Sequence, residues 1–177
     1  MPFTGMTIGA KITETEGGAR RIRVPEGDYL GEVKNVRPSR EDYAGDDPFF
    51  SYDIYLADGP AGGVGKTYSH MGTWSESGVF SNGMVLKACG VNVESLVGKE
   101  FPTYAHFAAL ADAIKKACVG KKFVVSLADN TYNGNVTSRA VAFAPATDFV
   151  KVEQSASAPA VASNELDGLL AGSGLAL

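Results

Sequence analysis

The sequence predicts a mainly β domain of the α+β class, and three observations carry that reading. Gly supplies 21 residues and Pro 8, which cuts the chain into short elements and excludes a helical bundle. Five stretches alternate apolar and polar residues with the period of a half-buried strand. Two others, both between the third and fourth strands, show the three-and-four spacing of a helix. At 177 residues, 45% hydrophobic and 20% charged, the chain is long enough for one sizeable core.

Taken in order, residues 1–24 mix Gly, Thr and charge without periodicity and are expected to form an arm or an irregular leading strand. Pro25-Glu26-Gly27 is a turn, and residues 28–37 follow as strand one, with Tyr29, Gly31 and Val33 opposite Leu30, Glu32 and Lys34. Residues 38–48 read as a long polar loop. Strand two, residues 49–56, sets Phe50, Tyr52, Ile54 and Leu56 against Phe49, Ser51, Asp53 and Tyr55. After a Gly-rich turn, strand three at residues 66–74 sets Tyr68, His70, Gly72 and Trp74 against Thr67, Ser69, Met71 and Thr73. Ser81 or Asn82 caps a short helix through Met84, Val85, Leu86 and Cys89, which Gly90 closes.

Pro102 and Thr103 open a longer helix. Phe107, Leu110, Ala111, Ile114 and Cys118 form its buried face, Asp112 and Lys116 pair outside, and Gly120 ends it. Strand four takes residues 121–128 and strand five residues 136–143, across a polar loop holding Asn130, Tyr132, Asn133, Gly134 and Asn135. The folded domain is therefore set at residues 25–145. Residues 146–177 read as a flexible linker, rich in Ser, Ala and Pro, that ends in an apolar hook of Leu166, Leu169 and Leu170 suited to docking a partner.

The formal charge is -4, which argues against a protein that coats nucleic acid by sheer positive charge. The charge is uneven, however. Residues 41–60 hold six acids and no base, and residues 146–177 hold four acids and Lys151; the remainder has 15 basic and 10 acidic residues. Cys89 and Cys118 are too few for a disulfide framework and lack metal-ligand spacing, so both read as buried free thiols, and no metal or cofactor is expected. No apolar run reaches the roughly 20 residues that cross a bilayer and no secretory signal opens the chain, so a cytoplasmic protein without membrane contact is expected.

Gly62-Gly63-Val64-Gly65-Lys66-Thr67 resembles the end of a phosphate-binding loop. Pro60 stands where that loop needs a Gly, and the following residues alternate like a strand instead of opening a helix, so a hairpin turn fits better. His106 lies beside an apolar helix face. His70 belongs either to the core or to a ring-lined binding face, and no nucleophile can be placed beside it. An enzyme is not expected.

Three strands, a helical insert and two strands is the order of the OB-fold, a five-stranded barrel that binds oligonucleotides on strands two and three and through its first and last long loops. Candidate nucleic-acid contacts in those places are Lys34, Arg37, Arg40, Tyr43, Phe49, Tyr55, Lys66, Tyr68, His70, Trp74, Lys121, Lys122, Tyr132 and Arg139. Rings provide stacking platforms for bases and cations track phosphate. Alternation lets only one face of each strand point outward, so about half of the rings are expected inside.

Val24-Pro25-Glu26-Gly27-Asp28-Tyr29 at the first strand, the aromatic second strand, the Gly-ended insert and Lys121-Lys122-Phe123-Val124-Val125 at the fourth carry a resemblance. In these the chain resembles phage-encoded single-stranded DNA-binding proteins with an OB-fold, over roughly residues 24–145. The resemblance implies coating of single strands in phage DNA replication and recombination in the host cytoplasm, without a cofactor, and a tail that recruits replication or recombination proteins. The tail departs from the best-known pattern of that family, because it ends Gly-Leu-Ala-Leu and has few acids. Candidate partners are single-stranded DNA or RNA, tail-binding proteins and a second copy of the chain. The alternatives are a structural or protein-interaction barrel, such as a virion component, and, further off, a nucleotide-binding protein.

Overall fold

The computed structural model describes residues 3–8, 22–44, 48–74 and 82–150. The elements are β1 (Met6–Thr7), β2 (Gly27–Pro38), α1 (Glu41–Ala44), β3 (Phe49–Asp58), β4 (Thr67–Thr73), α2 (Asn82–Ala88), β5 (Glu100–Phe101), α3 (Tyr104–Cys118), β6 (Lys122–Tyr132) and β7 (Asn135–Pro145). Five of the strands make one antiparallel sheet in the order β4-β3-β2-β6-β7, and β1 pairs with β5 in a separate ribbon. The expected order of three strands, helices and two strands is present in this mainly β fold.

Side-chain alternation builds the core. Tyr29, Val33, Phe50, Tyr52, Ile54, Leu56, Tyr68, Phe123, Val125 and Ala140 turn to one side and are fully buried. A bulge in β2 between Val33 and Asn35 makes Lys34 an extra residue against β3. It resets the pleat, so that Val36 points inward while Arg37 points out. Helix α3 lays Phe107, Leu110, Ala111, Ile114 and Cys118 on this core, as its spacing predicts. Thr103 caps it by accepting the His106 N–H, and Gly120, at φ +82°, turns the chain back. Gly120 N–H then donates to Val33 O and Val33 N–H to Lys121 O, at 2.9 and 3.1 Å, which fixes the helix exit to the bulge.

The last loop and the seam differ from expectation, while the leading segment takes the strand form among its expected alternatives. Residues 130–132 continue β6 to Tyr132, so the last loop shrinks to the turn Asn133-Gly134. Both turn residues have positive φ, 48° and 76°, as a two-residue hairpin of primed type requires, and Asn-Gly tolerates that conformation best. The described parts of the leading segment pack against the body: Met6 and Thr7 pair with Phe101 and Glu100, and Ile8 and Val24 are buried. Finally, β4 and β7 share no ladder among the described residues, so the sheet is not closed into a barrel. The Ser138 N–H goes instead to Ile22 O, at 2.6 Å, and Val24 N–H to Ser138 Oγ, at 2.8 Å. Across the gap, Ala140 N–H donates to the Tyr68 hydroxyl at 2.9 Å and Phe143 meets the His70 ring edge-on at 5.0 Å.

Asn82 does not act as the expected cap of α2. It is the first helical residue, fully buried, and its side chain ties the helix to the sheet. Nδ2 donates to the carbonyls of Gly72 and Thr73 at 2.9 and 3.0 Å, and Oδ1 accepts from the Tyr52 hydroxyl at 2.7 Å. Gly72 is glycine because the Asn82 amide occupies the place of its Cβ. Asn82→Ala is expected to cost about 1–3 kcal/mol in urea unfolding, since it strands a buried hydroxyl. Tyr52→Phe in the Asn82→Ala background is expected to add little to that loss, because the hydroxyl has already lost its partner.

Helices α2 and α3 also bring together two cysteines far apart in sequence. Cys89 and Cys118 are both buried and unbridged, and their thiols hydrogen-bond each other. That contact and burial push the Cys89 thiol upward and keep it protonated, while the same contact draws Cys118 downward.

Candidate nucleic-acid interface

Strand parity decides which rings face outward. Tyr68 and His70 on β4, and Trp74 just past its end, turn inward, with 0%, 0% and 5% of their surface exposed. Their candidacy as base-stacking contacts is corrected: the partners Ile54 and Tyr52 of Tyr68 and His70 face inward, and paired residues share a face. Burial raises Tyr68 to about 12 and lowers His70 to about 3, so both are neutral core groups across the physiological range. Trp74 packs edge-on against Phe50 at 5.2 Å.

The opposite face of β2, β3 and β4 is half-exposed, and the register arranges it in rows. Lys122, Glu32, Tyr55 and Thr67 stand side by side on β6, β2, β3 and β4. Such a row crosses four strands in about 14 Å. The next rows are Asn35, Asp53 and Ser69, then Arg37, Ser51 and Met71, and last Phe49 beside Thr73. Lys34 holds its ammonium 5.4 Å from the centre of the Tyr55 ring. The face therefore brings together Lys34, Arg37, Phe49, Tyr55 and Lys122 among the expected contacts.

Its electrostatics are self-balanced. Arg37 Nη2 donates to both Asp53 carboxylate oxygens at 2.9 Å, and Ser69 Oγ donates to Asp53 Oδ1 at 2.8 Å. Lys34 donates to Glu32. That hydrogen bond, aided by the charges of Lys34 and Lys122, holds the Glu32 carboxyl below its ordinary range. The acids Glu32 and Asp53 thus stand among the cations of this face.

The remaining expected contacts lie around this face. Lys66 is exposed just before β4, and Lys121 is exposed where α3 gives way to β6. Arg40 is exposed and bridges to Asp42 at 3.4 Å. Tyr43 lies in α1, and its side chain is outside the described residues, as are Leu166, Leu169 and Leu170. Tyr132 is 73% exposed at the tip of the β6–β7 hairpin, beyond Leu127, where pairing with β2 begins. Arg139 sits on the outward side of β7, next to the open seam. Residues 61–65 form a turn, and Thr67–Thr73 a strand. In that turn the N–H groups of Gly63, Gly65 and Lys66 bond to Pro60 O, Leu56 O and Gly63 O, so they hold a hairpin and not a phosphate.

Sequence reasoning missed Met71, Glu32 and Asp53 as members of this face. Their outward parity was legible, but the ion pairs depend on a bulge that the alternation does not show. No family model matches the chain, and no curated protein matches it.

Proposed function

We propose that the chain is a non-enzymatic single-stranded DNA-binding protein of low sequence preference, acting in replication or recombination, and that its sheet is a five-stranded OB-fold barrel left open at one seam. The observation that carries this reading is the half-exposed Tyr55 ring in the outward row Lys122-Glu32-Tyr55-Thr67, with the Lys34 ammonium 5.4 Å from its centre and Lys122 at the end of the row. A ring offers its face to any base, and cations alongside it meet the backbone, which is the chemistry of sequence-tolerant strand binding. Phe49 and Met71 extend the apolar part of the same face.

Fluorescence anisotropy of labelled oligo-dT, at low and at physiological salt with duplex DNA as competitor, tests the reading. Tight binding that salt weakens and duplex does not displace is expected. In that assay Tyr55→Ala is expected to lose about 1–3 kcal/mol of affinity with unchanged thermal stability. Absence of binding at both salts would overturn the reading in favour of a protein-interaction module. The exposed Tyr132, Val136 and Val141 on β6 and β7 are the observation on that side.

A further inference from the structure

Among the described residues, some basic residues of the outer surface are ion-paired and others, Lys66 before β4 and Arg139 on β7 among them, are not. On the sheet face Lys34 is committed to Glu32 and Arg37 to Asp53, while Lys122 stands beside Glu32 without closing a bridge. At the junction of α3 with β6, Lys115, Lys116, Lys121 and Lys122 are all exposed, and among the described residues none of them forms an ion pair. Even Asp112, one turn before Lys116, does not close the pair that spacing predicts; Asp112, Lys115, Lys116 and Val119 line a shallow hollow instead.

Backbone hydrogen bonds fix this cluster against the end of the aromatic row. Lys115 O accepts the Val119 N–H, Cys118 O accepts the Lys121 N–H, and Lys121 O accepts from Val33, one residue before Lys34. Lys122 is itself the first member of the row that continues through Glu32 to Tyr55. A strand lying along that row and leaving it past Lys122 on the side of Lys121 meets the helix end.

We infer that Lys115 and Lys116, with Lys121 and Lys122, form the phosphate anchor of the bound single strand, while the sheet face contributes stacking with little net charge. This rests on the proposed single-strand binding and divides its energy between two places. Unpaired lysines release counterions when a phosphate docks, whereas Lys34 and Arg37 exchange one anion for another. A distinct share of the salt dependence therefore resides at the helix end.

The test is the salt dependence of anisotropy with oligo-dT of about 16 nucleotides, for the wild type, Lys115→Gln/Lys116→Gln, Lys115→Arg/Lys116→Arg and Tyr55→Ala. Each phosphate contact on a single strand contributes about 0.7 to the slope of log affinity against log salt. The double Gln variant is expected to flatten the slope by about 1.4, with an affinity deficit of about 25-fold near 0.1 M that closes toward 1 M salt. The Arg variant keeps the wild-type slope, and Tyr55→Ala weakens binding at every salt without changing it. Lys115→Gln alone, with half the shift, serves if the double variant melts early. A wild-type slope in both Gln variants overturns this inference and leaves strand binding intact. No binding by the wild type overturns the functional reading itself and the anchor with it.

Discussion

Phe107→Ala is expected to lower the unfolding free energy by about 3–5 kcal/mol, the largest loss of any single truncation considered. The Phe107 ring is fully buried at the centre of an aromatic cluster, 4.9 Å from the ring of Phe50, 5.3 Å from Phe3 and 6.0 Å from Tyr104. It joins three parts of the chain: the leading segment, the sheet and α3. Removing it leaves a cavity that the backbone of α3 cannot close, because both helix ends are fixed, by the Thr103 cap and by the Gly120–Val33 bond. Urea unfolding measures the loss. A cost below about 1 kcal/mol would mean that the cluster is loosely packed and that the helix is not a fixed wall of the core.

The second large effect is a pH dependence that originates at His70. Burial alone lowers this imidazole from 6.5 to about 3. The unfolded chain therefore takes up a proton that the folded chain refuses, and stability is full above about pH 6.5 and falls as the pH drops from there toward about 3. The slope approaches about 1.4 kcal/mol per pH unit, so between pH 7 and 4.5 the protein should lose about 2–3 kcal/mol from this group. Carboxylates titrate in the same range, and comparison with His70→Leu isolates the histidine. The wild type should lose that amount more than the variant over the interval. Parallel stability curves would show that the ring is protonated in place and that the core admits water.

The faces of the strands were legible because their periods are clean. Tyr29 and Val33, then Phe50 to Leu56, and Tyr68 with His70 all turn inward as alternation dictates, and Phe107 to Cys118 follow the helical stripe. Alternation separates the two faces without saying which is wet. On β3 and β4 both faces carry rings, so Tyr68, His70 and Trp74 looked as eligible for binding as Tyr55 and Phe49. Packing decides between them, since His70 meets the Phe143 ring and Trp74 the Phe50 ring inside the core.

Other features depend on contacts distant in sequence and left no local trace. The Asn82 staple joins residues 30 positions apart, the Cys89–Cys118 contact joins two helix ends, and the Met6–Phe101 pairing spans most of the described chain. The Lys34 bulge is the exception that local inspection nearly reaches. Val33 and Val36 are both buried, a spacing of three that breaks the period of two and marks an inserted residue.

The way the seam is managed bears on strand pairing between molecules. An unclosed sheet leaves a margin where strands of neighbouring molecules can add, and closure is the usual way to abolish it. Here Ile22 and Val24 lie along β7 and occupy the Ser138 N–H and hydroxyl, while the Tyr68 hydroxyl takes the Ala140 N–H. The leading segment is thus a guard against aggregation as much as a part of the core. A chain trimmed to begin at Pro25, where the sheet starts by sequence, would retain every strand of that sheet and yet expose the margin most prone to intermolecular β-pairing.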